Sequence, residues 1–257
     1  MAANTVHTDD GSFFFFERKT CDLPYYRGAP DGISLTGWLI VLASVAVAFV
    51  VLMRTQLLFH NGFAGFIPPM LFVLIPLVTV AAVAGPKAPL ALFRSLGLKD
   101  IGIILLFFVL NAVVTVVFGT LIVGLFHTAA NPASDMVASA SGIDQILSFG
   151  WSAVQLLGEE IFTILIFLGA LALLTRFMSR KPALCLAALV AAIVFAMVHL
   201  PTYQWNLAQA LVGLIPVRLV LLMPFIITRN IWVSTGVHVL NDWAIFGMAA
   251  YAGMNEG

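Results

Sequence analysis

Residues 146–174 read ILSFGWSAVQLLGEEIFTILIFLGALALL, and this stretch decides the fold. It is apolar for longer than the ~20 residues that cross a bilayer. Yet Glu159 and Glu160 stand side by side in its middle. A water-soluble helix this apolar would need a large core to cover it, whereas a membrane helix is covered by lipid. The rest of the chain settles the choice. It is 61% hydrophobic and 9% charged over 257 residues, against roughly 25% charged in soluble domains. Six further segments have spanning length and character: Thr36–Met53, Phe66–Ala84, Ile101–Phe126, Pro182–Leu200, Leu207–Thr228 and Ile231–Tyr251. The expected fold is all-α, a polytopic transmembrane bundle of about seven spanning helices. The sixth segment holds Pro216, Arg218 and Pro224 and is expected to be kinked or split.

A polar N-terminal tail, 1–32, precedes the helical domain, 33–257. Its Phe13–Phe16 run is shorter than a signal-peptide core of roughly 7–15 residues. It reads as an uncleaved tail, either touching the membrane surface or disordered. Cys21 is in this tail and Cys185 in an apolar run, so no disulfide is expected between them. Net charge is zero, and nothing in the chain argues for nucleic acid as a partner.

Lys and Arg are retained on the cytoplasmic side of a membrane. Arg18, Lys19 and Arg27 precede the first helix. Lys87, Arg94 and Lys99 follow the second, Arg176, Arg180 and Lys181 the fourth, and Arg229 the sixth. With seven spans all ten fall on one side, and only Arg54 falls on the other. The expectation is a multi-pass protein of the cell membrane with its N-terminus inside and its C-terminus outside. The loop Gly124–Asp144, with Asp135 and Asp144 and no basic residue, agrees with that placement.

Ionisable groups within a bilayer cost about 2.5–3.5 kcal/mol each on insertion scales and are functional candidates by default. The short list is Glu159, Glu160, His199, Arg218, His238 and Asp242. Ser152, Gln155, Glu159 and Thr163 follow helical spacing and form one polar stripe. Glu159 is therefore expected to face a watered cavity. Glu160 points about 100° away, among Leu156, Leu157 and Ile164, and needs a partner from another helix. His199 and Phe195 share a helical face. His238 and Asp242 are one turn apart, a spacing at which the acid can orient the ring and fix its tautomer. Asn241 is turned aside and is the weaker candidate. Two chemistries remain open. Glu159, His199 and His238 would make a His₂Glu zinc set with an open water position. Alternatively, Glu159 and one histidine would activate water without metal, the other histidine and Asp242 serving an oxyanion.

Glu159-Glu160, Phe195-x-x-x-His199 and His238-x-x-x-Asp242 resemble, in order, the EExxxR, FxxxH and HxxxN/D motifs of the CPBP intramembrane proteases. That family, also called Abi, includes the type II CAAX prenyl endopeptidases and bacteriocin-processing or immunity proteins. The resemblance covers roughly Ile146 to Tyr251. It implies an intramembrane endopeptidase in which Glu159 and His199 activate water while His238 and Asp242 support the oxyanion. The substrate would be a membrane-associated, prenylated or precursor peptide. The family arginine should stand at 164, where this chain has Ile164. Arg218 is the expected substitute partner of Glu160. His199 and His238 come out at depths differing by on the order of 10 Å, which helix tilts of up to ~40° would partly absorb.

No HExxH, GxGD or GxSG string points to another intramembrane protease class. Two rival readings remain. One is a proton-coupled transporter, since buried Glu and His chains also relay protons. The other is an inactive scaffold or immunity relative, because of Ile164.

Overall fold

The computed structural model describes residues 13–18, 21–27, 32–59, 61–129, 132, 136–137, 140 and 142–255. Asp9, Asp10, Lys19, Asp31 and Asp135 lie outside the described residues. Among the described residues seven long helices run in order: α1 (Leu35–Gln56), α2 (Ile67–Ala84), α3 (Leu98–Leu125), α4 (Gly142–Leu174), α5 (Arg180–Val198), α6 (Ile215–Thr228) and α7 (Ile231–Asn255). No strand occurs among the described residues. The segments from α1 to α6 are long and apolar enough to cross a membrane. α7 is long enough too, at 25 residues, but Ser234, Thr235, His238, Asn241 and Asp242 dilute its apolar character. Cys21 and Cys185 are free.

Local chemistry explains the element ends. The Ser34 hydroxyl accepts the Gly37 amide at 3.1 Å and caps α1. Pro68 and Pro69 open α2, where a missing N–H costs nothing. The expected break in the sixth segment is present. A π-helical turn, Gln209–Leu214, leads into α6, and Pro216 stands in the first turn of α6. The wider turn accommodates the proline that a continuous α-helix would not. α6 ends at Arg229 in the left-handed region, φ 56°.

α4 is the axis of the bundle. It packs on α1, α2, α5 and α7, while α3 packs on α6 and α7 and shows most of its surface to lipid. The α2–α4 contact is close because Gly158 has no side chain: an added Cβ would collide with the Phe72 ring. Overpacking of this kind costs typically about 1–3 kcal/mol. Gly158→Ala is expected to lower the thermal midpoint in detergent, and an unchanged midpoint would mean that the Phe72 contact yields freely.

The tail is docked rather than loose over residues 13–18 and 21–27. Glu17 is buried against the end of the bundle. Its carboxylate takes Arg180 Nη1 and Nη2 at 2.8 and 2.6 Å, Arg229 Nη2 at 2.6 Å and the Phe14 amide at 2.8 Å. Phe13 lies under the Arg180 guanidinium at 4.1 Å, whereas Phe15 is exposed. Arg18 pairs with Asp100, and Arg94 Nε donates to the Arg229 carbonyl at 3.0 Å. The tail, the α2–α3 link, the start of α5 and the end of α6 thus meet at one end of the bundle, which brings the basic clusters together as the charge pattern requires.

Burial pushes the Glu17 carboxyl up, but the Arg180 and Phe14 hydrogen bonds and the charges of Arg180 and Arg229 outweigh it, so the group sits below its ordinary 4.5. A depressed carboxylate stabilises the folded state above its unfolded value and loses that contribution as pH falls through the folded one. Tail docking is therefore expected to be complete at neutral pH and to loosen only below 4.5. Glu17→Gln is expected to expose the tail to protease at neutral pH. A cleavage pattern equal to wild type would contradict the docking role.

Candidate active site

Glu160 is fully buried on α4, and Arg218, fully buried on α6, reaches it with Nη2 2.7 Å from Oε1. This is the partner that the absent arginine at 164 calls for; Ile164 itself is buried. The Arg218 guanidinium also lies 4.7 Å from the Phe195 ring centre, a cation–π contact. The charge is thus neutralised between helices rather than along one.

The same Glu160 Oε1 stands 2.9 Å from His238 Nδ1. A carboxylate beside an arginine only accepts, so Nδ1 is the donor, and Nε2 is left facing the cavity. The expectation that Asp242 fixes this ring is therefore corrected. Glu160 holds Nδ1, while Asp242 Oδ1 is 3.8 Å from Nε2. The spacing of one helical turn brings the acid near the ring but not into hydrogen-bond range.

Glu159 lies on the open side. Gln155 Nε2 donates to its Oε1 at 3.2 Å, and Gln56 Nε2 on α1 donates to Gln155 Oε1 at 2.8 Å. That chain turns Oε2 towards His238 Nε2, 3.9 Å away. Two carboxylate oxygens at 3.8–3.9 Å from one ring nitrogen are too far for direct bonds and suited to a bridging water. The polar stripe on α4 holds in part. Ser152, Gln155 and Glu159 line a cavity, while Thr163 is buried and returns its hydroxyl to the Glu159 carbonyl.

The cavity has a volume of about 740 Å³. Glu159, His199, His238 and Asp242 all line it, so the two histidines share one space despite their different depths. Glu160 and Arg218 are not on its wall. His199 donates from Nδ1 to the Phe195 carbonyl at 2.8 Å, and the two rings are 4.3 Å apart. Its Nε2 is therefore the nitrogen with a free lone pair. Among the described residues no group of three or more His, Cys, Asp and Glu side chains is arranged to hold a metal ion. As they stand, Glu159, His199 and His238 do not fit a zinc site.

Other polar residues on the wall are ranked low by the sequence or not singled out by it. Asn241, set aside as the weaker candidate, is on the wall with its amide nitrogen tied to the Val237 carbonyl at 2.9 Å. Tyr203 lines the cavity from the α5–α6 link; burial and the nearby Asp242 and Glu159 charges push its hydroxyl up to about 12. Asn111, in the middle of α3, is buried on the cavity wall, and its Oδ1 has no partner among the described residues. An unpaired buried polar group is costly, by about 1–3 kcal/mol. A lone Asn in a long apolar helix was the available signal.

No curated protein and no solved structure matches the chain. A family model does match residues 144–244; its description is "Rce1-like: Type II CAAX prenyl endopeptidase Rce1-like". The match covers less than half of the chain and leaves out α1 to α3, and with them Asn111. It contains all three motifs and all the acids and histidines gathered above. The segment that carries Glu159, Glu160, His199, His238 and Asp242 is thus similar to the Rce1-like type II CAAX prenyl endopeptidases.

Proposed function

We propose that the protein is an intramembrane endopeptidase that hydrolyses a peptide bond in a membrane-associated peptide, with Glu159 as general base. The observation that carries this reading is the spacing of Glu159 Oε2 and Asp242 Oδ1, 3.9 and 3.8 Å from the single free nitrogen of His238. A water held there is within reach of a carboxylate. Water attacks the scissile carbonyl carbon, and its proton passes to Glu159. The carbonyl oxygen takes the negative charge and is met by the N–H of His238 Nε2, with Asp242 3.8 Å away to answer the charge on the ring. His199, through Nε2, helps to hold the water. Glu159 then gives the proton to the leaving nitrogen as the C–N bond breaks, which releases an acid and an amine.

Asn111 serves the substrate: its free Oδ1 accepts a backbone N–H of the bound peptide. One hydrogen bond is worth about 0.5–1.5 kcal/mol, or up to about tenfold in kcat/KM. Asn111→Leu is expected to lower kcat/KM by that much while the thermal midpoint holds or rises. A lowered midpoint with unchanged kcat/KM would assign Asn111 to the fold instead. The inactive-relative reading loses its main support, because Arg218 stands in for the missing arginine. The test of the function is direct. Purified protein in nanodiscs should cleave a prenylated CAAX peptide or a member of a precursor-peptide library. Ion flux in proteoliposomes without any cleavage would favour a transporter.

A further inference from the structure

We infer that the active-site cavity is served from the extracytoplasmic side of the membrane, and that the substrate is a peptide segment presented there; this rests on the peptidase reading above. Two observations support it. First, the basic clusters gather at one end. Arg18 pairs with Asp100 at the start of α3, Arg94 binds the Arg229 carbonyl, and Arg180 and Arg229 close on Glu17. Positive charge is held on the cytoplasmic side, so this end is cytoplasmic.

Second, the cavity belongs to the other end. Its walls are the second half of α1, from Phe49 to Gln56, then Gly65 just before α2 and Phe72 in the first half of α2. They continue with the second half of α3, from Asn111, α4 from Ser148 to Phe162, the last turn of α5, the stretch from Gly213 to Leu221 that leads into α6, and α7 from His238 to Phe246. On α1 to α5 the wall lies in the part of the helix remote from the basic end or at its middle, and on α6 and α7 it reaches the middle of the bundle but not the turns next to Arg229 and Asn230. The solvent-exposed members of the wall include Thr128, Pro132, Met136 and Pro201, all in links at that far end. None of the links that carry the basic clusters (residues 85–97, 175–179 and 229–230) contributes to it.

A chain end in the cytosol would have to cross the packed, ion-paired half of the bundle to reach Glu159. The expected substrate is therefore a peptide already carried across the membrane, or a membrane protein with its scissile bond in the outer half. A soluble, cytosolic prenylated C-terminus is not of that class.

Two single-cysteine proteins, made with Cys21→Ser and Cys185→Ser, test the placement. One carries Thr202→Cys on the cavity wall, the other Ser179→Cys at the exposed start of α5. In intact cells a membrane-impermeant maleimide should label Thr202→Cys and spare Ser179→Cys until the membrane is opened. The reverse pattern, labelling of both from outside, or labelling of Thr202→Cys only after opening would overturn the inference. Sealed right-side-out vesicles should then cleave an impermeant peptide that inside-out vesicles leave intact. Labelling does not depend on catalysis. Absence of cleavage even by detergent-solubilised protein would therefore defeat the peptidase reading alone.

Discussion

Replacing Glu159 by Gln is expected to lower kcat by about 10²–10⁴, the usual worth of a positioned general base, with little change in the thermal midpoint. The amide keeps the shape of the carboxyl and leaves an acceptor oxygen for the Gln155 amide, which now holds Oε1 at 3.2 Å. The group lies on the cavity wall, so its replacement uncovers no buried charge. What it loses is the ability to take a proton from water. His199→Ala should be damaging but less so, because in the proposed mechanism His199 takes no proton and its Nδ1 is spent on the Phe195 carbonyl. Equal turnover in wild type and Glu159→Gln would remove the base from the mechanism.

The second large effect concerns stability. Glu160 and Arg218 are both fully buried and 2.7 Å apart. Breaking a buried ion pair by removing one partner costs about 3–5 kcal/mol, because the other charge is left uncompensated. Arg218→Met is expected to unfold readily in detergent or to fail to accumulate. Adding Glu160→Gln should restore much of the lost stability, since no bare charge then remains. Activity should stay low in the double variant: a neutral amide in place of the Glu160 carboxylate is a weaker partner for His238 Nδ1 and holds the ring less firmly. Recovery of fold without recovery of rate separates the two jobs of Glu160. A double variant no more stable than Arg218→Met would show that the pair is not what holds these helices together.

The spanning helices are legible in the sequence because lipid selects for long apolar runs, and the segment ends lie within a few residues of the helix ends, except that the sixth segment takes in the π-helical turn before α6. The pairing of Arg218 with Glu160 is legible for a different reason. A buried acid with apolar helical neighbours requires a cation, and the sixth segment holds one in its interior. Other features rest on contacts that no local pattern announces. Glu17 is 163 residues from Arg180 and 212 from Arg229, so its burial appears only once the bundle is assembled. Helical spacing suggests Asp242 as the orienting acid of His238, yet the ring turns its Nδ1 to Glu160 on a neighbouring helix. Asn111 has no polar neighbour one turn before it on α3, and its place on the cavity wall depends on how α3 meets α6 and α7. Residues paired along one helix can be read from spacing, whereas residues paired across helices become visible only in the packing.

The central claim is that Glu159, His199 and His238 act in one wet space within the bilayer to add water to a peptide bond. Hydrolysis of a membrane-associated peptide by purified protein in ¹⁸O-labelled water reads that step most directly. The expected result is one ¹⁸O in the new terminal carboxylate with wild type and no product with Glu159→Gln. A product free of ¹⁸O, or one formed equally by Glu159→Gln, would contradict it.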